Sequence, residues 1–149
     1  MKKLLPVIIV IMVVIFIYLR WNMNRPKYGE VIINNTSIKI ELADTIGKQK
    51  QGLSGRPTLP DSQGMLFPMG LPDRYNFWMK DMNFPIDIVW IYQSKVIDIT
   101  ENLAPPRGYE QPASASPKEP ADMVLEVTAG FIKEHNIQIG NEVRVNTNN

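Results

Sequence analysis

The segment FWMKDMNFPIDIVWI, Phe77–Ile91, holds two of the chain's three tryptophans, two methionines, one lysine and two aspartates. Pro85 cannot donate a ladder hydrogen bond, so it should open a strand rather than sit inside one. From Ile86 onward, period-two geometry puts Ile86, Ile88 and Trp90 on one face. Asp87 then shares the other face with Val89 and Ile91. A small closed or half-closed barrel would bury a strand this apolar on both faces. Met82-Asn83 marks a bend between this strand and an earlier one at 77–80, and the polar YQSK that follows reads as a turn into a third.

Working outward, the same grammar recurs. In VIINNTSIKIEL, Ile38, Ile40 and Leu42 alternate with Lys39 and Glu41, and NNT supplies a turn, so Val31–Leu42 reads as a hairpin. ADTIGKQKQGLSG reads as a short polar helix, capped by Asp44 or Thr45 and ended by Gly52 or Gly55. Gly64–Phe67 and the DMVLEV segment are further strands. TAGFIKEHN predicts a short helix with Thr128 as cap and Asn136 as a left-handed stop. Residues 104–120 contain five prolines and form a long loop. The expected fold is a β-rich α+β domain: a small, mostly antiparallel, barrel-like sheet with two short helices, behind one N-terminal transmembrane helix.

That helix is expected from MKKLLPVIIVIMVVIFIYLRW. Residues 4–19 carry no charge, Arg20 can snorkel, and Trp21 suits an interface. The run ends without the small-residue pattern of a cleavage site, which favours an uncleaved anchor over a removed signal. The expected division is an anchor at 1–21, a linker at 22–30, a globular domain at 31–145 and a tail at 146–149. The membrane, through residues 4–19, is thus an expected partner. The positive-inside rule does not orient the span. A very short N-terminal tail would stay cytoplasmic, placing the domain outside the cytoplasm at the cell membrane.

Composition excludes several chemistries. The chain has no cysteine and one histidine, so disulfides, thiolate metal sites, thiol nucleophiles and multi-histidine metal sites are out. The first 27 residues carry five basic side chains and no acid, which leaves 11 basic and 15 acidic residues beyond them, a net of −4. That balance is wrong for gripping a phosphate backbone, and no nucleic-acid partner is expected. There is no G-x-S-x-G elbow, and GLSGRP lacks the lysine of a phosphate loop. No cofactor and no metal are expected. His135, beside Glu134, reads as a solvated helix end.

Three apolar strands each carry one central acid: Asp87, Asp98 and Glu126. A buried carboxylate needs a cation, hydrogen-bond donors or water. The favoured reading is an ion pair that fixes strand register, with Lys80 and Arg56 the leading cations for Asp87. A polar floor to a ligand pocket is the second reading, and a hard-metal site the least favoured, because closely spaced acids are absent. The methionines and aromatics of residues 65–84 suit core packing, or else an aromatic-lined groove. Trp78, next to Lys80 and Asp81, is its most site-like part. Candidate ligand-binding residues are therefore Arg56, Trp78, Lys80, Asp81 and Asp87, with Asp98 and Glu126 as buried polar candidates.

The set QGLSGRPTLPDSQGMLF, FWMKDMNFPIDIVWI and VLEVTAGFIKEHNIQIGNEV resembles the uncharacterised bacterial and archaeal family called domain of unknown function 192, over about Val31–Val145. Matching positions include Gly52, Arg56, Gly64, Trp78, Lys80, Asp87, Glu126 and Gly140. The turn after the central strand, often Asp-Gly in the family, is Gln93-Ser94 here, and the stretch after Asn102 is richer in proline. The resemblance implies a compact β-rich domain, often behind a signal peptide or anchor, and supplies no reaction. The leading expectation is a membrane-tethered, non-catalytic module that binds a small molecule, a glycan or an envelope protein. The alternatives are a hydrolase using Asp87, Asp98 or Glu126 and a structural or assembly protein of the envelope. Two of those carboxylates in one open cleft would favour the hydrolase.

Overall fold

The structure is a computed structural model, and it describes residues 4–23 and 25–147. Nine strands and three helices are present among them. The hairpin is formed by β1 (Lys27–Ile33) and β2 (Thr36–Leu42). Its turn residues Asn34 and Asn35 both have positive φ, the twist that matches a two-residue hairpin loop. Thr45 then caps α2 (Ile46–Gln51), accepting a hydrogen bond from the Lys48 amide. Gly52 ends that helix at φ 51, ψ −133, a conformation open to glycine and costly for other residues.

After α2 the chain enters β3 (Gln63–Asp73), which runs parallel to β2. β4 (Phe77–Trp78) is two residues long and pairs only with β7 (Ser114–Ala115), so the strand expected at 77–80 lies outside the main sheet. β5 (Ile86–Tyr92) and β6 (Lys95–Leu103) form a second hairpin, turning at Gln93-Ser94, both with positive φ. β8 (Ala121–Thr128) inserts between β5 and β3. The helix α3 (Phe131–Glu134) starts at Gly130 in the left-handed region rather than at Thr128. β9 (Val143–Thr147) completes the sheet beside β1.

The main sheet has seven strands in the order β6-β5-β8-β3-β2-β1-β9. This corrects the barrel-like expectation: the sheet is mixed and does not close. Its two edges meet at one end only, through the Lys95–Glu142 bridge and the hydrogen bonds Val96 N–H to Asn141 O and Val143 N–H to Ser94 O. The chain passes from β2 to β3 through a connection that contains α2, the crossover that parallel pairing there requires. The central strands are covered on both faces by separate clusters. One contains Ile38, Leu66, Val89, Leu125 and Phe131; the other contains Met65, Phe67, Met79, Ile88 and Trp90.

The expected transmembrane helix is also corrected. α1 (Leu4–Met23) is helical, and its apolar side chains from Val7 to Trp21 are exposed. Among the described residues, however, no helix is long and apolar enough to cross a membrane. The charge-free run of residues 4–19 would span about 24 Å as a helix, against a hydrocarbon core of about 30 Å. The remainder of α1 brings in Arg20 and Asn22.

Candidate functional site

The second core face is open on one side of the sheet, where a cleft of ≈ 530 Å³ lies between the end of α2, β3 and the β4 segment. Phe67, Met69, Tyr75, Phe77 and Trp78 supply its wall, and Glu126 contributes to its lining. The wall is braced from behind by an edge-to-face chain: Phe67 to Phe77 at 5.0 Å, then Phe77 to Trp90 at 5.5 Å between ring centroids. Such edge-to-face pairs stabilise by about 0.5–1.5 kcal/mol each beyond simple area burial. Trp78, by contrast, is 57% exposed, an unusual state for the largest apolar side chain.

Glu126 lies on the cleft face because β8 alternates strictly there: Val124 and Glu126 point one way, Leu125 and Val127 the other. Its row across the sheet reads Glu41, Met65, Glu126, Ile88, Thr100. Its neighbours in adjacent strands are therefore a methionine, at best a weak acceptor, and an isoleucine with no polar atom. Above it, a Cβ built on Gly52 would stand 3.8 Å from Glu126 Oε2 and 3.5 Å from the Phe67 ring. Glu126 Oε2 is buried with no hydrogen-bond partner among the described residues. Burial pushes the carboxyl up from 4.5 to about 8, against the opposing pull of the Arg56 charge. The group is thus a neutral acid at pH 7.

Arg56 does not reach Glu126 with a hydrogen bond. Its guanidinium donates to Glu41 at 2.7 Å instead, and its carbonyl accepts from the Asn83 side chain. Lys80 is exposed, with Nζ 5.4 Å from the centroid of the Trp78 ring. Asp81 takes a positive φ of 57° and its carbonyl accepts from Gly55 N–H, joining the 79–82 turn to the end of the α2 segment.

Asp87 is placed elsewhere. It is fully buried on the opposite face, and its two oxygens accept the backbone amides of Asn102 at 2.8 Å and Ile132 at 3.0 Å. Because Ile132 is in the first turn of α3, Asp87 satisfies an otherwise orphaned donor of that helix from a neighbouring strand. The answer to its burial is two amides, not Lys80 or Arg56. Asp98 likewise accepts from the amides of Ile99 and Lys118, with Lys118 Nζ 3.7 Å away. It pairs across the ladder with Trp90.

The structure therefore brings Trp78 and Glu126 to one cleft, leaves Lys80 next to the Trp78 ring outside its lining, sets the Arg56 charge near Glu126, and seals Asp87 on the opposite face. Asp87, Asp98 and Glu126 do not share a cleft. Among the described residues, no group of three or more His, Asp or Glu side chains could hold a metal ion. Tyr75, Asn76 and Gln49 also line the cleft and escaped the sequence reading. They lie in turn or helix segments whose pattern carries no sign of what they face.

Comparisons with known proteins agree with this architecture. The family described as Uncharacterized ACR, domain of unknown function 192, matches residues 30–145. A crystal structure from Sinorhizobium meliloti 1021, described as a candidate transcription regulator, is similar at 27% identity, covering 81% of this chain and 94% of that one, with a TM-score of 0.70. A protein of unknown function from Novosphingobium aromaticivorans DSM 12444 is similar at 31% identity, covering 78% and 84% respectively, with a TM-score of 0.69. No curated protein matches the chain. With 116 consecutive residues matched, the chain belongs to the family of domain of unknown function 192.

Proposed function

We propose that this domain is a non-catalytic binding module whose site is the aromatic cleft. The observation that carries the reading is the pairing of an exposed Trp78 with a buried, unpartnered Glu126 carboxyl in one concavity. Apolar walls with a few convergent polar groups are what small-molecule and side-chain pockets share. A glycan ring or an apolar side chain of an envelope protein would stack on the same surface, with Lys50 in its lining and Lys80 beside the Trp78 ring. The hydrolase reading has no comparable support, since Asp87 lies on the opposite face, held by two backbone amides, and Asp98 is not among the residues that line the cleft. The regulator-like relative raises nucleic acid as a second partner class. A net of −4 beyond residue 27 argues against it. We also carry extracytoplasmic placement as part of the proposal. Its check is a reporter fused after Asn149, expected to be active only outside the cytoplasm.

The test is a ligand screen of small molecules, glycans and peptides on the full chain and on Trp78→Ala. Ligands are expected to register on wild type and to be lost on the variant. An unchanged binding profile in Trp78→Ala would remove the cleft as the site.

A further inference from the structure

The chemistry of the cleft floor restricts what can occupy it. Resting on the cleft being the binding site, we propose that its ligand is an uncharged molecule with a ring-sized apolar body and one hydrogen-bond-accepting oxygen, which the Glu126 carboxyl recognises as donor.

Three observations converge. First, the carboxyl has a vacant hydrogen-bonding oxygen buried beneath Gly52 and the Phe67 ring, and its strand neighbours Met65 and Ile88 offer no partner. A buried polar group in that state is costly until something pairs with it. Second, the cation that an aromatic wall could attract is already supplied by the protein. Lys80 Nζ stands over Trp78, and Lys50 lines the same cleft. A cationic ligand would meet both. Third, the walls of Phe67, Met69 and Phe77 would strip water from a charged headgroup without replacing its hydrogen bonds, which disfavours an anion reaching the floor. A neutral acceptor pays a much smaller desolvation cost, and the protonated carboxyl has a proton to give it in return.

The charged and titratable groups around Glu126 are Arg56 with its partner Glu41, and Lys50 and Tyr75 from the cleft lining. None accepts the carboxyl proton in the structure.

Three probes of one shape separate the possibilities: benzamide, benzylamine and benzoate, titrated onto the full chain with the Trp78 indole signal as readout. Benzamide is expected to bind tightest near pH 6. Its affinity should fall by about tenfold per pH unit once Glu126 ionises, above about 8. Glu126→Gln is expected to keep benzamide binding, because an amide N–H donates at every pH, and to erase the pH dependence. Glu126→Leu is expected to weaken benzamide about tenfold, the worth of one such hydrogen bond. Tighter binding of benzylamine or benzoate than of benzamide would overturn the inference while leaving the cleft as the site. Benzamide binding that is unchanged in Glu126→Leu would do the same. If none of the three perturbs Trp78, the cleft reading itself fails, and the inference falls with it.

Discussion

Glu126→Gln should stabilise the folded domain at neutral pH, and the gain should grow with pH. The Glu126 carboxyl is raised from 4.5 to about 8, chiefly by burial and in spite of Arg56. The folded state therefore holds the proton more tightly than the unfolded chain does. The stability that this contributes is complete below pH 4.5 and is lost as pH rises toward 8. Each pH unit inside that window removes about 1.4 kcal/mol. By pH 7 the wild-type domain is about 3 kcal/mol less stable than in acid, from this group alone. Glutamine has nearly the same shape and never ionises, so near pH 5 the two proteins should differ little. The gap should then open by roughly 2–3 kcal/mol between pH 5 and pH 7. Other titrating groups are common to both proteins and cancel. Asp44 is one of these. Burial pushes it up, but Lys27 and Lys48 outweigh that and hold it below its ordinary value. Its contribution is present above the unfolded value and lost on acidification, the opposite limb from Glu126. The assay is urea denaturation of both proteins at half-unit pH steps, comparing extrapolated unfolding free energies. Stability curves that run parallel across pH 5–8 would refute the reasoning, because they would mean that the carboxyl is solvated or paired in the folded state.

Asp87→Asn should destabilise the domain by about 3 kcal/mol in chemical denaturation. The amide replaces one of two accepting oxygens with a donor, which then faces a backbone N–H; retention of wild-type stability would show that the two amides find other partners. Gly64→Ala should lose about 1–3 kcal/mol in the same assay, since a Cβ there would stand 2.7 Å from the Glu126 carbonyl oxygen. Trp78→Ala should leave the unfolding midpoint nearly unchanged while abolishing ligand response, because its side chain is largely exposed. A large drop in midpoint would recast Trp78 as a structural residue.

The asymmetry between Asp87 and Glu126 shows where a sequence stops being readable. Both sit within strands between apolar residues, and both invite the same question about a partner. Asp87 finds its partners in Asn102, fifteen residues away, and Ile132, forty-five away. Glu126 Oε2 finds none among the described residues, and the strand order places Met65 on one side of Glu126 and Ile88 on the other. Alternation told which residues shared a face of each strand; it could not tell which faces met. The same limit explains the 77–80 segment, whose apolar character reads as a strand of the main sheet. Phe77 and Trp78 instead pair with Ser114-Ala115 inside the proline-rich loop, a contact between residues that carry no mutual signal. The isolation of Trp78 from the sheet is what leaves its ring exposed beside the cleft.

By itself the sequence determined the local elements. The two Asn residues at 34–35, Thr45 and Gly52 around α2, and the double-sided apolar run of β5 follow from short-range sterics and period-two burial, which act within a few residues. It also determined the absence of thiol chemistry and the acidic balance of the domain. Only the tertiary structure decided that the sheet stays open, that β2 and β3 run parallel, and that one acid is capped by amides while another is left bare beneath an aromatic wall. Those outcomes depend on strand order and on partners far apart in the chain, and the energy of a buried carboxyl is set by what surrounds it in space.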